Sequence, residues 1–372
     1  MMCGSIEIDG YAFYLGLKSL KLSYTASSGL QSLPSIAYLI EQASLRPKYT
    51  KDSPARFSLE IRRLAELVDM FHTRKASDIR DKVYALLGMS SDDPSEAGLR
   101  PNYRVSWKEL FQQLIKFILD KVISVEIPGD FDNNQRAVIK SKGCVLSQVS
   151  SVRSDDRQNM NITFTSKNTA WCLGDKMEWT LRASAKSVQV GDIVCLLQGA
   201  SKPTIIRLCK DHFAIVIVSA TPLNKSGNFG LLELSKSIVH PRDFLLVWDW
   251  EKPLRESQDQ EEDETFMKAD SQEPELSNIG CLEKPTRIWN VALVLRDLEE
   301  YKEAEEKLRE AIKGYEIAIR EEYPRTFKSQ YSLTPLSWAA GNGYDAVVKL
   351  LLAKHGVDPD LKDSQYGRTP LS

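Results

Sequence analysis

The sequence has no G-x-x-x-x-G-K-S/T phosphate loop and no G-x-S-x-G nucleophile elbow. Those absences remove P-loop nucleotide hydrolysis and the common serine hydrolase arrangement. No run of 18 uncharged apolar residues occurs, so no membrane-spanning helix is expected. The first ten residues carry no basic region followed by an apolar core, so no secretory leader is expected and a cytoplasmic setting is. A net charge of −2 without a basic stripe gives no footprint for nucleic acid. Histidine is scarce: His72, His212, His240 and His355 lie far apart, none at metal-ligand spacing from cysteine or carboxylate. The six cysteines form no C-x-x-C pair and read as reduced, mostly buried thiols. Gly341 to Ala346 fits G-x-G-x-x-A, but a dinucleotide site needs a strand before it, and here a helix is expected instead.

What is present divides by texture. Phe57, Ile61, Leu64, Val68 and Phe71 share one helical stripe, which predicts an amphipathic helix from Phe57 to Phe71. Next comes a second helix with Asp78 or Ser77 as N-cap, Ile79, Val83 and Leu86 on its apolar face, and Gly88 as a left-handed stop. Arg80, Asp81 and Lys82 are costly to bury unless paired, so a structural ion pair or capping contact is expected for Arg80 and Asp81. Tyr84 and Leu87 are expected in the core. Ser106 and Glu109 have the spacing of a capping box at the head of a third helix, with Trp107, Leu110, Leu114 and Phe117 on its apolar side. The Asp78, Asp81, Asp92 and Asp93 carboxylates are explained by capping and loop solvation more simply than by acid/base chemistry.

From about Val138 to Trp250, short β-branched runs alternate with Gly, Asn and Ser. Strands are expected over Val145 to Val152, Asn161 to Phe164, Ile193 to Leu197, Thr204 to Leu208 and Phe213 to Val218, curled or barrel-like. Residues 251–275 hold ten acidic and three basic residues, a composition expected to remain a disordered spacer. Thr286 to Thr326 reads as a helical hairpin. Val291, Leu295 and Leu298 lie on one helix, and Tyr301, Ala304, Leu308, Ala311 and Tyr315 on the other.

Three resemblances follow from quoted residues. Ala76-Ser77-Asp78-Ile79-Arg80-Asp81-Lys82-Val83-Tyr84-Ala85-Leu86-Leu87-Gly88, then Leu99-Arg100-Pro101-Asn102-Tyr103, resembles the closing signature of the fungal heterokaryon incompatibility (HET) domain. Ile79 stands where that family has proline and Asn102 where it has aspartate. Val190-Gly191-Asp192-Ile193-Val194 and Pro203-Thr204-Ile205-Ile206-Arg207 resemble strands that recur C-terminal to such domains. The family's earlier Tyr-rich motif has no counterpart, so a partial or late-starting copy is expected. Glu300 to Glu305 with Tyr323-Pro324-Arg325-Thr326 resembles one tetratricopeptide repeat. Thr334-Pro335-Leu336 and Gly367-Arg368-Thr369-Pro370-Leu371 resemble ankyrin repeat starts, 35 residues apart, so either more units beyond Ser372 or a decaying fragment is expected.

The expected fold is multidomain α+β: a partial α/β HET-like region over 1–130, a β-rich barrel-like domain over 138–250, an acidic linker over 251–280, a TPR-like hairpin over 285–327 and an ankyrin repeat over 331–372. The expected function is non-enzymatic recognition of other proteins through the repeats, in a setting the resemblance implies is self/non-self recognition. No catalytic, cofactor or metal residue is assigned. The alternative the resemblance implies is a NAD-consuming or other nucleotide-hydrolysing effector of TIR-like type.

Overall fold

The computed structural model describes residues 57–59, 61–119, 123–127, 135–154, 159–165, 177–182, 186–223, 241–250 and 280–322, with a few short stretches and single positions near both ends. The chain falls into two units, 1–209 with 213–261, and 210–212 with 262–372.

The first unit begins with two small antiparallel pairs, β1 (Met2–Cys3) with β2 (Ile6–Glu7) and β3 (Lys48–Tyr49) with β4 (Phe57–Ser58). The single helix expected over Phe57 to Phe71 is therefore corrected: helix α1 spans Leu64–Phe71 only. Ahead of it the backbone is extended. Leu59 donates to the Gly88 carbonyl and Ile61 to the Met89 carbonyl, both at 2.9 Å, and Ser91 returns a bond to Arg62. Alternation of Phe57, Leu59 and Ile61 fits that strand-like run as well as a helix face. The neighbouring backbone at residues 88–91 decides between them. The Leu64 amide that opens α1 is capped from a distance, by Asp92 Oδ2 at 2.8 Å. Leu64, Leu67 and Val68 are fully buried.

Helix α2 (Asp81–Leu87) carries the signature and buries Val83, Tyr84, Leu86 and Leu87. Two expectations fail in detail. The N-cap position is Arg80, with no side-chain cap, and Asp78 lies in the preceding turn. Gly88 has φ −70°, an ordinary right-handed value, so its role is not the left-handed stop. A 3-10 turn, Pro94–Ala97, leads to α3 (Trp107–Leu119), which starts with the expected capping box: Glu109 N–H donates to Ser106 Oγ and Ser106 N–H to Glu109 Oε2, each at 3.2 Å.

Eight strands make one mixed sheet: β5 (Ser124–Glu126), β6 (Arg136–Ser154), β7 (Asn159–Thr165), β8 (Met177–Arg182), β9 (Ile193–Leu197), β10 (Thr204–Leu208), β11 (Phe213–Ile217) and β12 (Arg242–Asp249). Its order is β12-β11-β10-β9-β6-β7-β8, with β5 beside β6. The long β6 also pairs with β12, from Arg136↔Asp249 to Gly143↔Arg242, so hydrogen bonding returns to its starting strand. All pairings are antiparallel except β11 with β12. Three strands, β5, β8 and β12, were not expected from the sequence. At Gly143 a side chain has no room, since an added Cβ would sit 2.6 Å from the Leu196 carbonyl oxygen of β9.

Two apolar clusters fill this unit. One joins β6 to β11 around Trp179, Phe164, Ile162 and Leu196. The other sets α3 against the end of β12: Trp250 meets Phe111 at 4.9 Å and Trp107 at 5.4 Å, both edge-on. Large rings packed edge to face contribute beyond the area they bury.

The second unit contains the helical hairpin α4 (Gly280–Asp297) and α5 (Tyr301–Glu322). Ala304 and Ala311 are buried in it, as the small-residue spacing predicts, whereas Tyr301 is exposed. Gly314 lies against the proline inside α4, where an added Cβ would be 2.8 Å from Pro285 Cγ. The acidic spacer, His240, His355, and the ankyrin-like helices apart from single positions lie outside the described residues.

Candidate functional site

The signature residues converge on one turn. Asp78 accepts from Arg80 three times, through the backbone amide at 2.9 Å, Nε at 2.9 Å and Nη2 at 2.7 Å. Those bonds from Arg80 hold the Asp78 carboxyl below its usual range. Arg80 Nη1 also donates to the carbonyls of Tyr103 and Val105, and its guanidinium lies over the Tyr103 ring. Tyr84 donates to the Asn102 carbonyl at 2.8 Å, and Tyr103 donates to Asp81 Oδ1 at 2.5 Å. The bond to Asp81 raises the Tyr103 phenol above its ordinary value. Lys82 reaches Gln135 at 2.7 Å. The expected ion pair and capping role thus resolve into a clamp, in which a planar fork holds residues 102–105 at the end of α2. A fork of five donors suits Arg where Lys would reach one point.

The two strand motifs resembling the HET-associated region also meet. Asp192, 2% exposed, accepts from Arg207 Nε at 2.7 Å and Nη2 at 2.9 Å, and from the Gln189 amide at 2.8 Å. Gly191, at φ +95°, supplies the turn that brings Asp192 there.

A third constellation is buried between α1 and the sheet. Asp69 Oδ1 accepts the Val218 amide at 2.9 Å and Oδ2 the Ser219 amide at 3.1 Å. Burial pushes its carboxyl up to about 7, against the opposing pull of those two amides and of Lys186. Lys186 Nζ donates to the Ile215 carbonyl, and burial brings it down to about 8 in spite of Asp249 and Asp69. His72 Nδ1 bonds the Val68 carbonyl at 2.8 Å, and burial depresses it to about 3. Its Nε2 has no hydrogen-bond partner among the described residues, and its ring packs against Trp250. His72 is therefore a neutral core histidine at a helix end.

Beside Asp69 opens a small cleft, open to solvent. Arg62, Glu66 and Asp69 line it from the helix side, with Arg182, Ser219 and Thr221 opposite. Nothing in the sequence marked this cleft, because its walls come from segments more than 100 residues apart.

Other residues considered at the sequence level are dispersed. His212 pairs with Asp211 at 3.0 Å in the second unit, and Arg287 bonds the same carboxylate. Burial raises Asp211, but the His212 bond and Arg287 outweigh it and hold the carboxyl at about 2. Asp92 caps α1, and Asp93 is exposed. Cys144 and Cys195 are buried free thiols. Among the described residues there is no group of three metal-ligating side chains and no helix long and apolar enough to cross a membrane.

Residues 331–364 match the ankyrin repeat family, which supports a role in binding other proteins. Neither a heterokaryon incompatibility domain nor a tetratricopeptide repeat matches. No curated protein and no solved structure matches the chain.

Proposed function

We propose that this chain is a non-enzymatic recognition protein of the cytoplasm that engages other proteins through its C-terminal repeats. The observation that carries this is the ankyrin match over residues 331–364. Ankyrin units present stacked helices and loops as a binding surface and carry no chemistry of their own. The signature clamp and the Asp192–Arg207 bridge support a relation to heterokaryon incompatibility proteins. In both places the motif residues are spent on holding backbone, with arginine forks satisfied by carboxylates and carbonyls. The pairing of β12 back to β6 supports a barrel-like body for this scaffold. The setting proposed is self/non-self recognition, with the repeats as docking arm.

Cross-linking in cells tests this by comparing the full chain with a chain ending at residue 330. Specific partners captured by the full chain and lost on truncation are the expected result. Turnover of NAD by the purified chain, abolished by a substitution in residues 1–125, would overturn the non-enzymatic reading in favour of a nucleotide-hydrolysing effector.

A further inference from the structure

We propose that Tyr103 is a phosphorylation site whose modification switches the signature clamp, with a protein tyrosine kinase and a nucleoside triphosphate as co-reactants. This goes beyond the recognition reading and does not depend on the repeats. Tyr103 is 55% exposed and lies in the turn ahead of α3. Side chains join that turn to α2 and its approach. Tyr103 Oη donates to Asp81 Oδ1, and Tyr84 Oη donates to the Asn102 carbonyl. Arg80 Nη1 donates to the carbonyls of Tyr103 and Val105. The phenolic proton is therefore one of the bolts that hold the turn, and it sits at the surface, where a modifying enzyme reaches it.

Phosphoryl transfer removes that proton. The bond from the γ-phosphorus to the bridging oxygen of the nucleotide breaks, and a bond from phosphorus to Tyr103 Oη forms. The proton passes to the base of the kinase, and the nucleoside diphosphate leaves. A hydrogen-bond donor is thereby replaced by a group carrying a charge of about −1.5 to −2. Asp81 then faces an anion where it held a hydrogen bond, and the contact turns repulsive. Arg80 does not offset this, because its Nε and Nη2 are held by Asp78 and its Nη1 by two carbonyls. Arg100 and Arg104 flank Tyr103 in the turn and are exposed. Among the described residues their side chains enter no hydrogen bond or ion pair. Guanidiniums of that kind bind phosphate through paired donors. Tyr103 thus stands between a carboxylate that repels a phosphate and two guanidiniums that bind one. Unmodified, its hydroxyl is on Asp81 and its ring under Arg80. Modified, its phosphate is on Arg100 and Arg104, and the turn is released from α2.

The test incubates the full chain with ATP, magnesium and a broad-specificity soluble tyrosine kinase, and maps its 13 tyrosines by peptide mass spectrometry. The expected result is labelling of Tyr103 in the folded chain. The Arg104 and Val105 amides, which donate to Asn102, should then exchange about tenfold faster. Phosphorus NMR should give the phosphate a second pKa below its ordinary value of about 6, since guanidiniums favour the dianion and Asp81 would disfavour it. Arg100→Gln combined with Arg104→Gln should bring that pKa back up. Asp81→Asn, which carries no charge to repel the phosphate, should shrink the exchange response. Tyr103→Phe should remove label and response together. Failure to label Tyr103 in the unsubstituted chain, whatever other tyrosine is modified, would overturn the site. Labelling that leaves exchange at 104–105 unchanged, or a phosphate that titrates at or above its ordinary value, would overturn the switch. These outcomes are read on the unsubstituted chain, so none depends on a variant that folds.

Discussion

Arg207 closes on Asp192 with two parallel hydrogen bonds, Nε to Oδ1 at 2.7 Å and Nη2 to Oδ2 at 2.9 Å. Asp192 is almost wholly buried, and the fork together with the Gln189 amide satisfies its oxygens. Removing one partner of a buried pair leaves an uncompensated charge, at a cost of about 3–5 kcal/mol. Arg207→Met is expected to destabilise the first unit by that order in urea unfolding. Arg207→Lys should recover only part, since an ammonium cannot reproduce the fork. Full recovery by lysine would show that charge alone matters.

Tyr84 and Leu87 separate packing from hydrogen bonding in the signature helix. Both are buried, and Tyr84 donates to the Asn102 carbonyl. Leu87→Ala should cost about 2–5 kcal/mol, the range for emptying a core position. Tyr84→Phe keeps the ring and loses one bond, for about 1 kcal/mol. Thermal melts that rank these two in reverse order would place the signature's main contribution in the turn at 102–105.

Gly143 and Gly88 should behave oppositely on substitution by alanine. At Gly143 the new Cβ would meet the Leu196 carbonyl at 2.6 Å, and rigid backbone in the β6–β9 pairing cannot yield without breaking register. Overpacking of this kind costs about 1–3 kcal/mol or more. At Gly88 nothing lies within 4 Å and φ is −70°, so alanine is expected to be neutral or slightly stabilising. Equal losses of melting temperature in the two variants would contradict the geometry.

His72 and Asp69 impose opposite pH dependences. The neutral His72 contributes stability that is complete above its ordinary pKa of 6.5 and lost as pH falls toward about 3. Asp69, raised to about 7, contributes stability that is complete below 3.8 and lost as pH rises toward 7. Between those limits the two slopes oppose, each about 1.4 kcal/mol per pH unit. Asp69→Asn should therefore make stability rise more steeply with pH than in the parent chain across about pH 4.5 to 6. His72→Asn should do the reverse. Urea unfolding across that window checks both, and parallel pH profiles for the two variants would refute the assignment.

The sequence by itself determined the elements whose stabilising contacts are local. The capping box at Ser106 and Glu109, the buried face of Asp81–Leu87, the helical hairpin with Ala304 and Ala311 inside, and the strands Ile193–Leu197 and Thr204–Leu208 are set by spacing and side-chain type within one turn or one strand. Strand β8 was missed although Trp179 and Leu181 alternate with Glu178, Thr180 and Arg182, because so short a run is a weak signal. Tertiary structure decided the rest. Residues 57–59 and 61–63 are extended because the backbone at 88–91 offers them hydrogen bonds, and a periodicity of apolar side chains says nothing about such a neighbour. Asp69 finds its amides 149 and 150 residues further along, and the Arg62–Arg182 cleft exists only once β8 and β11 lie beside α1. Contacts of that separation are selected by the whole packing and leave no local pattern, because each partner alone is an ordinary polar residue on an ordinary segment.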